Sequence, residues 1–418
     1  MRCASFLAGF SSIDFMQIYL DYSATTPPRA EAIAAMQTAM SQHWGNASSL
    51  HHWGNRAATV LERSRQQVAD LIGAPNPASI IFTAGGSEAN NLALFGVANQ
   101  FDSPQHLIIS AVEHSAIAAP AARLETQGWQ VTRLSVDERG AVEVGQLEAA
   151  LQPNTALVSV IYGQSEVGTL QPISQLAHIL RNHPAYFHTD AVQVAGRLPI
   201  DVQQLGVDLL SLSSHKIYGP QGAGALYVKD GMNLPQPIIL GGGQETGLRS
   251  GTQAIPNIAG FGIAAELAAA EMLAETPRLI ALRDRFFTLM ASVPYLKPTG
   301  DLRHRLPHHI SFCLPDLAFA PHALAGSEAV DRTVTGKTIV RQMNLAGIGI
   351  SAGSACHSGK LSPSPILKAM GYSDRIAKTG IRLTLGRHTS EADIDWSALV
   401  LKQVLTRALS DVLPALVP

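Results

Sequence analysis

The sequence predicts an α/β fold with a mostly parallel central sheet covered by helices, plus a smaller α+β domain. Two patterns carry this expectation. Between about residues 57 and 230, short apolar runs alternate with amphipathic stretches, as in successive βαβ units. From about residue 278 onward, helical patterns are instead interleaved with a few strands. The candidate strands of the first part are 79–83, 106–110, 130–135, 156–162, 185–188, 208–212 and 223–228. Helical patterns at 87–99, 116–126, 144–150 and 173–182 separate most of them. An alanine-rich helix over 258–275 leads to the second part, whose strands read as 309–313, 347–351 and 380–385. The domain reading is therefore a leader at 1–15, a large domain at 31–275, and a small domain from 16–30 and 276–418.

Composition narrows the class. The chain has 418 residues, 46% of them apolar, enough for a large core. A net charge of -2 gives no pull towards nucleic acid or anionic membrane. No uninterrupted apolar run reaches bilayer length. Cys3, Cys313 and Cys356 are too widely spaced for a disulfide framework or a zinc pattern, so a reducing cytoplasm is the expected compartment. Met1 to Phe15 lacks the basic and apolar regions of a signal peptide, and Met16 stands just before the first strand-like run.

Ligands of parallel sheets gather at the carboxyl ends of strands, and the chemically suggestive residues fall there. Lys216 follows an apolar strand and precedes a Gly-Pro turn. A lysine buried there loses its proton more readily, and a neutral amine condenses with an aldehyde such as pyridoxal 5'-phosphate. A solvated surface lysine is the bland alternative. Gly85-Gly86-Ser87 lies between a strand and a helix, as a phosphate cup or as a plain turn capped by Ser87. Ser213 and His215, polar groups beside the lysine, favour the cup. Asp190, with Gln193 one turn on, either faces a protonated pyridine nitrogen or simply caps a helix. His114, after Glu113, is placed to stack on an aromatic cofactor and exchange protons. Cys356 sits in a small-residue run without apolar periodicity, where a thiol can ionise and attack, whereas Cys313 reads as a buried inert thiol. Arg382 is a lone cation in an apolar strand, suited to a substrate carboxylate or to a structural ion pair.

Taken in order, the motifs are Tyr19-Leu-Asp-Tyr-Ser-Ala-Thr-Thr-Pro27, Phe82-Thr-Ala-Gly-Gly-Ser-Glu88, Glu113-His114, His188-Thr-Asp190, Ser213-Ser-His-Lys216, Arg249-Ser-Gly-Thr252, Gly353-Ser-Ala-Cys356 and Ile381-Arg382. Together they resemble the cysteine desulfurases, members of the class V aminotransferase group of fold-type I enzymes dependent on pyridoxal phosphate. The resemblance runs from about Ile18 to Trp396. It implies Lys216 as the Schiff-base lysine, His114 as the stacking ring, and Asp190 as the pyridinium partner. Gln193 would meet the phenolic oxygen, and Gly86, Ser87, Ser213 and His215 would surround the phosphate. Thr252 would reach the phosphate of a neighbouring subunit, implying a homodimer. Arg382 would hold the carboxylate of L-cysteine, and Cys356 would become the persulfide. A sulfur-acceptor protein, such as an iron–sulfur scaffold, is the implied partner. Two departures stand out. Ser165 occupies a place where the family usually has asparagine, and about twenty residues near Pro315 to Thr335 look inserted. A C–S lyase yielding pyruvate and a selenocysteine lyase are the competing activities.

Overall fold

The computed structural model describes residues 17–314, 334–353 and 362–410. The leader at 1–15, most of the inserted stretch and Cys356 lie outside the described residues. The chain enters through β1 (Ile18–Tyr19), α1 (Ala30–Gln42) and α2 (His52–Leu71). The large sheet then takes shape from β2 (Ile80–Thr83), β3 (His106–Ser110), β4 (Gln130–Leu134), β5 (Thr155–Ser159), β6 (Tyr186–Asp190), β7 (Leu209–Ser213) and β8 (Gly224–Val228). Between these strands run α3 (Gly86–Ala98), α4 (Ser115–Thr126), α5 (Val144–Ala150), α6 (Ile173–Leu180) and the single turn α7 (Val202–Leu205). The sheet order is β2-β8-β7-β6-β5-β3-β4, and only β8 runs antiparallel to its neighbours.

Alternation within each strand fills two cores at once, because successive side chains point to opposite faces. Ile80, Phe82 and Ile108 enter one core with Leu61, Val68 and Phe261, while Ile81, Leu107 and Ile109 enter another with Leu92, Leu94 and Leu124. Coverage on both faces is why these strands read as nearly continuous apolar runs.

α8 (Ile255–Met290) is one helix of 36 residues, not the stretch 258–275 expected, and it crosses the boundary drawn at 275/276. Pro256 suits its start, and the helix runs on through Gly260, Gly262 and the interior Pro277 because both of its halves are packed into cores. By length and composition it could span a membrane. Here its N-terminal half packs Phe261, Ala264 and Ala265 into the large core, and its C-terminal half gives Leu279, Leu282 and Phe286 to another.

That second core is completed by a four-stranded sheet, β9 (Lys297–Pro298), β10 (His309–Cys313), β12 (Ser351–Ala352) and β13 (Ile381–Thr384), in the order β12-β13-β10-β9. The strand expected at 347–351 is two pieces: β11 (Ile348–Gly349) pairs with β1, and β12 pairs with β13. Ile350 between them is buried, so the chain changes sheets without leaving the core. α9 (Gly336–Leu345), α10 (Pro365–Ala369), α11 (Asp374–Ala377) and α12 (Glu391–Ser410) complete the described chain.

Candidate active site

A cavity of about 770 Å³ opens over the carboxyl ends of the large sheet, where β13 of the four-stranded sheet also reaches it. Gly86, Ser87, His114, Asp190, Gln193, Ser213, His215, Lys216 and Arg382 all line it. Thr252 is exposed and lies outside this lining.

Lys216 ends a 3-10 turn, Ser214–Lys216, that follows β7 directly. Its Nζ donates to the carbonyls of Ser23 at 2.5 Å and Ala24 at 2.7 Å. Burial, aided by the positive charges of Arg382 and Arg197, lowers its pKa to about 8 from the usual 10.5. The solvated reading of this lysine therefore fails. Two residues later Tyr218 takes φ +67, rare for a bulky side chain, with its N–H on Thr26 Oγ1 at 2.8 Å and its carbonyl accepting from Arg29 N at 2.8 Å. Such a backbone persists only where its surroundings hold it, and it fixes the exit from the lysine turn.

The opposite wall is the start of α3. Gly85, not Ser87, occupies the N-cap position, and no side chain caps the helix. First-turn N–H groups lack intrahelical partners, so those of Gly86 and Ser87 offer an anion site into the cavity. A Cβ on Gly224 would lie 2.6 Å from the Gly85 backbone, so only glycine lets β8 approach this turn. His215 binds Thr25 Oγ1 through Nδ1 at 3.1 Å, and burial lowers its pKa to about 4, so the ring is neutral at pH 7.

The helix that the capping reading of Asp190 requires is absent, because the residues after it form turns. Asp190 ends β6, is buried, and its Oδ1 accepts from Val192 N at 3.0 Å. Its Oδ2 accepts from Asn90 Nδ2 at 2.7 Å. Gln193 donates through Nε2 to the Ser23 carbonyl at 3.0 Å, and its buried Oε1 has no partner among the described residues. His114 caps α4, its Nδ1 accepting from Ala116 N at 3.1 Å, so the neutral ring carries its proton on Nε2. Beneath it Glu113 accepts from Ser110 Oγ at 2.5 Å and Ile161 N at 2.8 Å, and burial pushes its carboxyl up to about 8.

Arg382 approaches from β13. Its Nη2 meets Asp21 Oδ1 at 2.6 Å and its Nη1 donates to the Ser165 carbonyl at 3.0 Å. The structure shows the ion-pair reading, and that pair holds the guanidinium at the cavity wall. Ser165 takes part through its carbonyl, which any residue would supply, so the departure from asparagine leaves this contact intact.

Sequence reasoning missed Asn90, Asp21 and Ser23 as site residues. Ser23 is a hub through its backbone carbonyl, which no side-chain pattern announces. Asn90 could have been flagged by its place one turn into the helix after the Gly-Gly-Ser run.

A phosphorylated pyridine aldehyde fits these groups. An amine of lowered basicity faces a buried carboxylate, an uncapped helix start supplies N–H donors, and Gln193 holds a spare buried polar atom.

Comparison with known proteins agrees. Residues 18–396 match the model of the aminotransferase class-V family. Cysteine desulfurase IscS of Dictyoglomus turgidum is 41% identical over 395 residues, covering 94% of this chain and 95% of that protein. The solved structure of a NifS-like protein superposes with a TM-score of 0.83 at 30% identity, covering 94% of this chain and 100% of that one. SspA in complex with cysteine gives 0.72 at 33% identity, covering 88% and 98%. By sequence, architecture and site this chain belongs to the class-V aminotransferase family, a family of enzymes working with pyridoxal phosphate, and within it to the cysteine desulfurases.

Proposed function

We propose that this cysteine desulfurase binds pyridoxal phosphate through Lys216, holds the carboxylate of L-cysteine on Arg382, and passes the substrate sulfur to Cys356 while releasing L-alanine. The observation that carries the reading is the meeting of Lys216, Asp190, His114 and Arg382 in one cavity.

Gly86, Ser87, Ser213 and His215 would surround the phosphate, Asp190 the ring nitrogen, Gln193 the phenolic oxygen, and His114 the ring face. When bound, the cofactor supplies an electron sink for charge left at the substrate Cα. Lys216, neutral in a large fraction of molecules near its pKa of about 8, takes the Cα proton. Arg382, fixed by Asp21 and Ser165, keeps the substrate from turning. His114 can accept the thiol proton of the substrate once its Nε2 proton has been passed on, since Nδ1 is held by Ala116 N. The Cys356 thiolate then attacks the substrate sulfur. An S–S bond forms as the C–S bond breaks, the electron pair stays with the carbon fragment, and a proton completes alanine.

Incubation with L-cysteine and a reductant, following alanine, sulfide and pyruvate together, tests this. Alanine and sulfide should form in equal amounts, and C356S should abolish both while keeping the colour of the cofactor. Pyruvate with undiminished turnover in C356S would identify a C–S lyase instead.

A homodimer is part of the same reading. Thr252 is exposed, as a residue serving another subunit would be. Trp44 at 64%, Leu50 at 99% and Leu240 at 81% exposure are large apolar groups for a second copy to cover. Light scattering at twice the chain mass supports it, and a monomeric active enzyme contradicts it. A cytoplasmic site of action and an iron–sulfur scaffold as sulfur acceptor are the family-based expectations that complete the proposal.

A further inference from the structure

Glu166 is a buried carboxylate to which the reaction above gives no task. It follows Ser165, and its own N–H donates to Gln164 Oε1 at 2.5 Å. The residue is 7% exposed, and its Oε1 has no hydrogen-bond partner among the described residues. That oxygen faces Gly353, because a Cβ built there would lie only 2.2 Å from it. Gly380, whose carbonyl accepts from Gly353 N at 3.1 Å, borders the same oxygen. On the other side the Ser364 hydroxyl lies close enough to favour the charged form of the Glu166 carboxyl. Ser364 is itself fixed: its N donates to Ala377 O at 3.0 Å, and its Oγ caps α10 by accepting from Leu367 N at 3.1 Å. Arg382, on β13, is the charged group that acts on Glu166.

Gly353 is the last described residue before 354–361, and Ser364 stands three residues after that stretch, which contains Cys356. One carboxylate therefore lies between both stems. A buried acid whose pKa burial raises to about 7 costs stability unless something is gained from its charge, and shifts of this kind cluster at functional sites. Gly353 also follows from this contact, since any side chain would collide with Glu166.

We propose that Glu166 is a positioning residue for sulfur transfer, its buried carboxylate wedged between Gly353 and Ser364 and so fixing the base from which Cys356 acts. The inference rests on Cys356 as sulfur acceptor. It assigns Glu166 to sulfur transfer and not to substrate capture, so the two kinetic constants separate.

The test uses the holoenzyme of E166A, E166Q and S364A. In E166A, kcat for alanine release should fall by about tenfold or more, as misplacement of a reacting group does. KM for L-cysteine and the absorbance change on adding L-cysteine should stay as in the parent. E166Q, which keeps shape and an acceptor oxygen, should recover part of the loss, and S364A should show a smaller loss of the same kind. Unchanged kcat in E166A overturns the proposal, and so does a loss that falls on KM and the absorbance change equally. If E166A does not fold, parental kcat in both E166Q and S364A overturns it. C356S run alongside separates the two layers. If C356S still forms alanine, the acceptor reading falls and takes this one with it. If C356S is inactive while E166A is unimpaired, only the role of Glu166 falls.

Discussion

The two walls of the cavity are built differently. The large-domain wall is made of strand ends and helix starts within one sheet. Lys216, Asp190, Ser213 and the Gly86 turn leave β7, β6 and β2 of that sheet, and backbone groups supply much of the holding. The facing wall is assembled from distant pieces: Arg382 on β13, Asp21 on the entering segment, and Ser165 and Glu166 from the loop after β5. The first wall suits a resident group that must not move. The second suits a substrate that must arrive, be oriented and leave, because its charges are set by contacts between segments. On the proposed reading, chemistry that activates Cα would belong to the sheet, and handling of the carboxylate to the other side.

The comparison breaks first at Lys216. K216A should lower turnover by about a thousandfold or more, within the span ascribed to a positioned proton acceptor and above it if the covalent tether matters as well. Its cofactor should be removable by dialysis, whereas the parent should keep it. Retained activity would remove the sheet wall from the chemistry.

R382Q should act on the other wall alone. Loss of a charge-assisted contact to a carboxylate should lower kcat/KM by about a hundredfold, mostly through KM, with the colour of the bound cofactor unchanged. A loss of cofactor instead would show that the walls are not separable.

The smallest effect links them. In the cofactor-free protein the neutral amine of Lys216 predominates only above its pKa of about 8, so the rate of uptake of the aldehyde should rise as pH increases through that value. Because Arg382 is one of the positive charges that lower this pKa, R382Q should move the rise to higher pH. A rise centred near 10.5, the ordinary lysine value, would mean that Lys216 is solvated.

The sheet wall was legible in the sequence, and the other wall less so. β3 and β10 were read to the residue, because continuous apolar runs between turn signals leave little choice of ends. α1 and α2 are missing from the sequence reading although each carries an apolar face opposite a polar one, the ordinary signal of a helix. Lys216 and Asp190 announce themselves as charges at the ends of apolar runs. Ser23 acts through its carbonyl and Asn90 across one hundred residues, and neither leaves a local mark. Glu166 looks like an ordinary loop acid until the fold brings Gly353 and Ser364 around it.

The central claim is that residue 216 carries the cofactor. Borohydride reduction of the coloured enzyme, followed by peptide mass mapping, tests it most directly. The account predicts one pyridoxyl phosphate group fixed on the Lys216 peptide. A label on another lysine, or a colourless protein that takes up no label when pyridoxal phosphate is supplied, would contradict it.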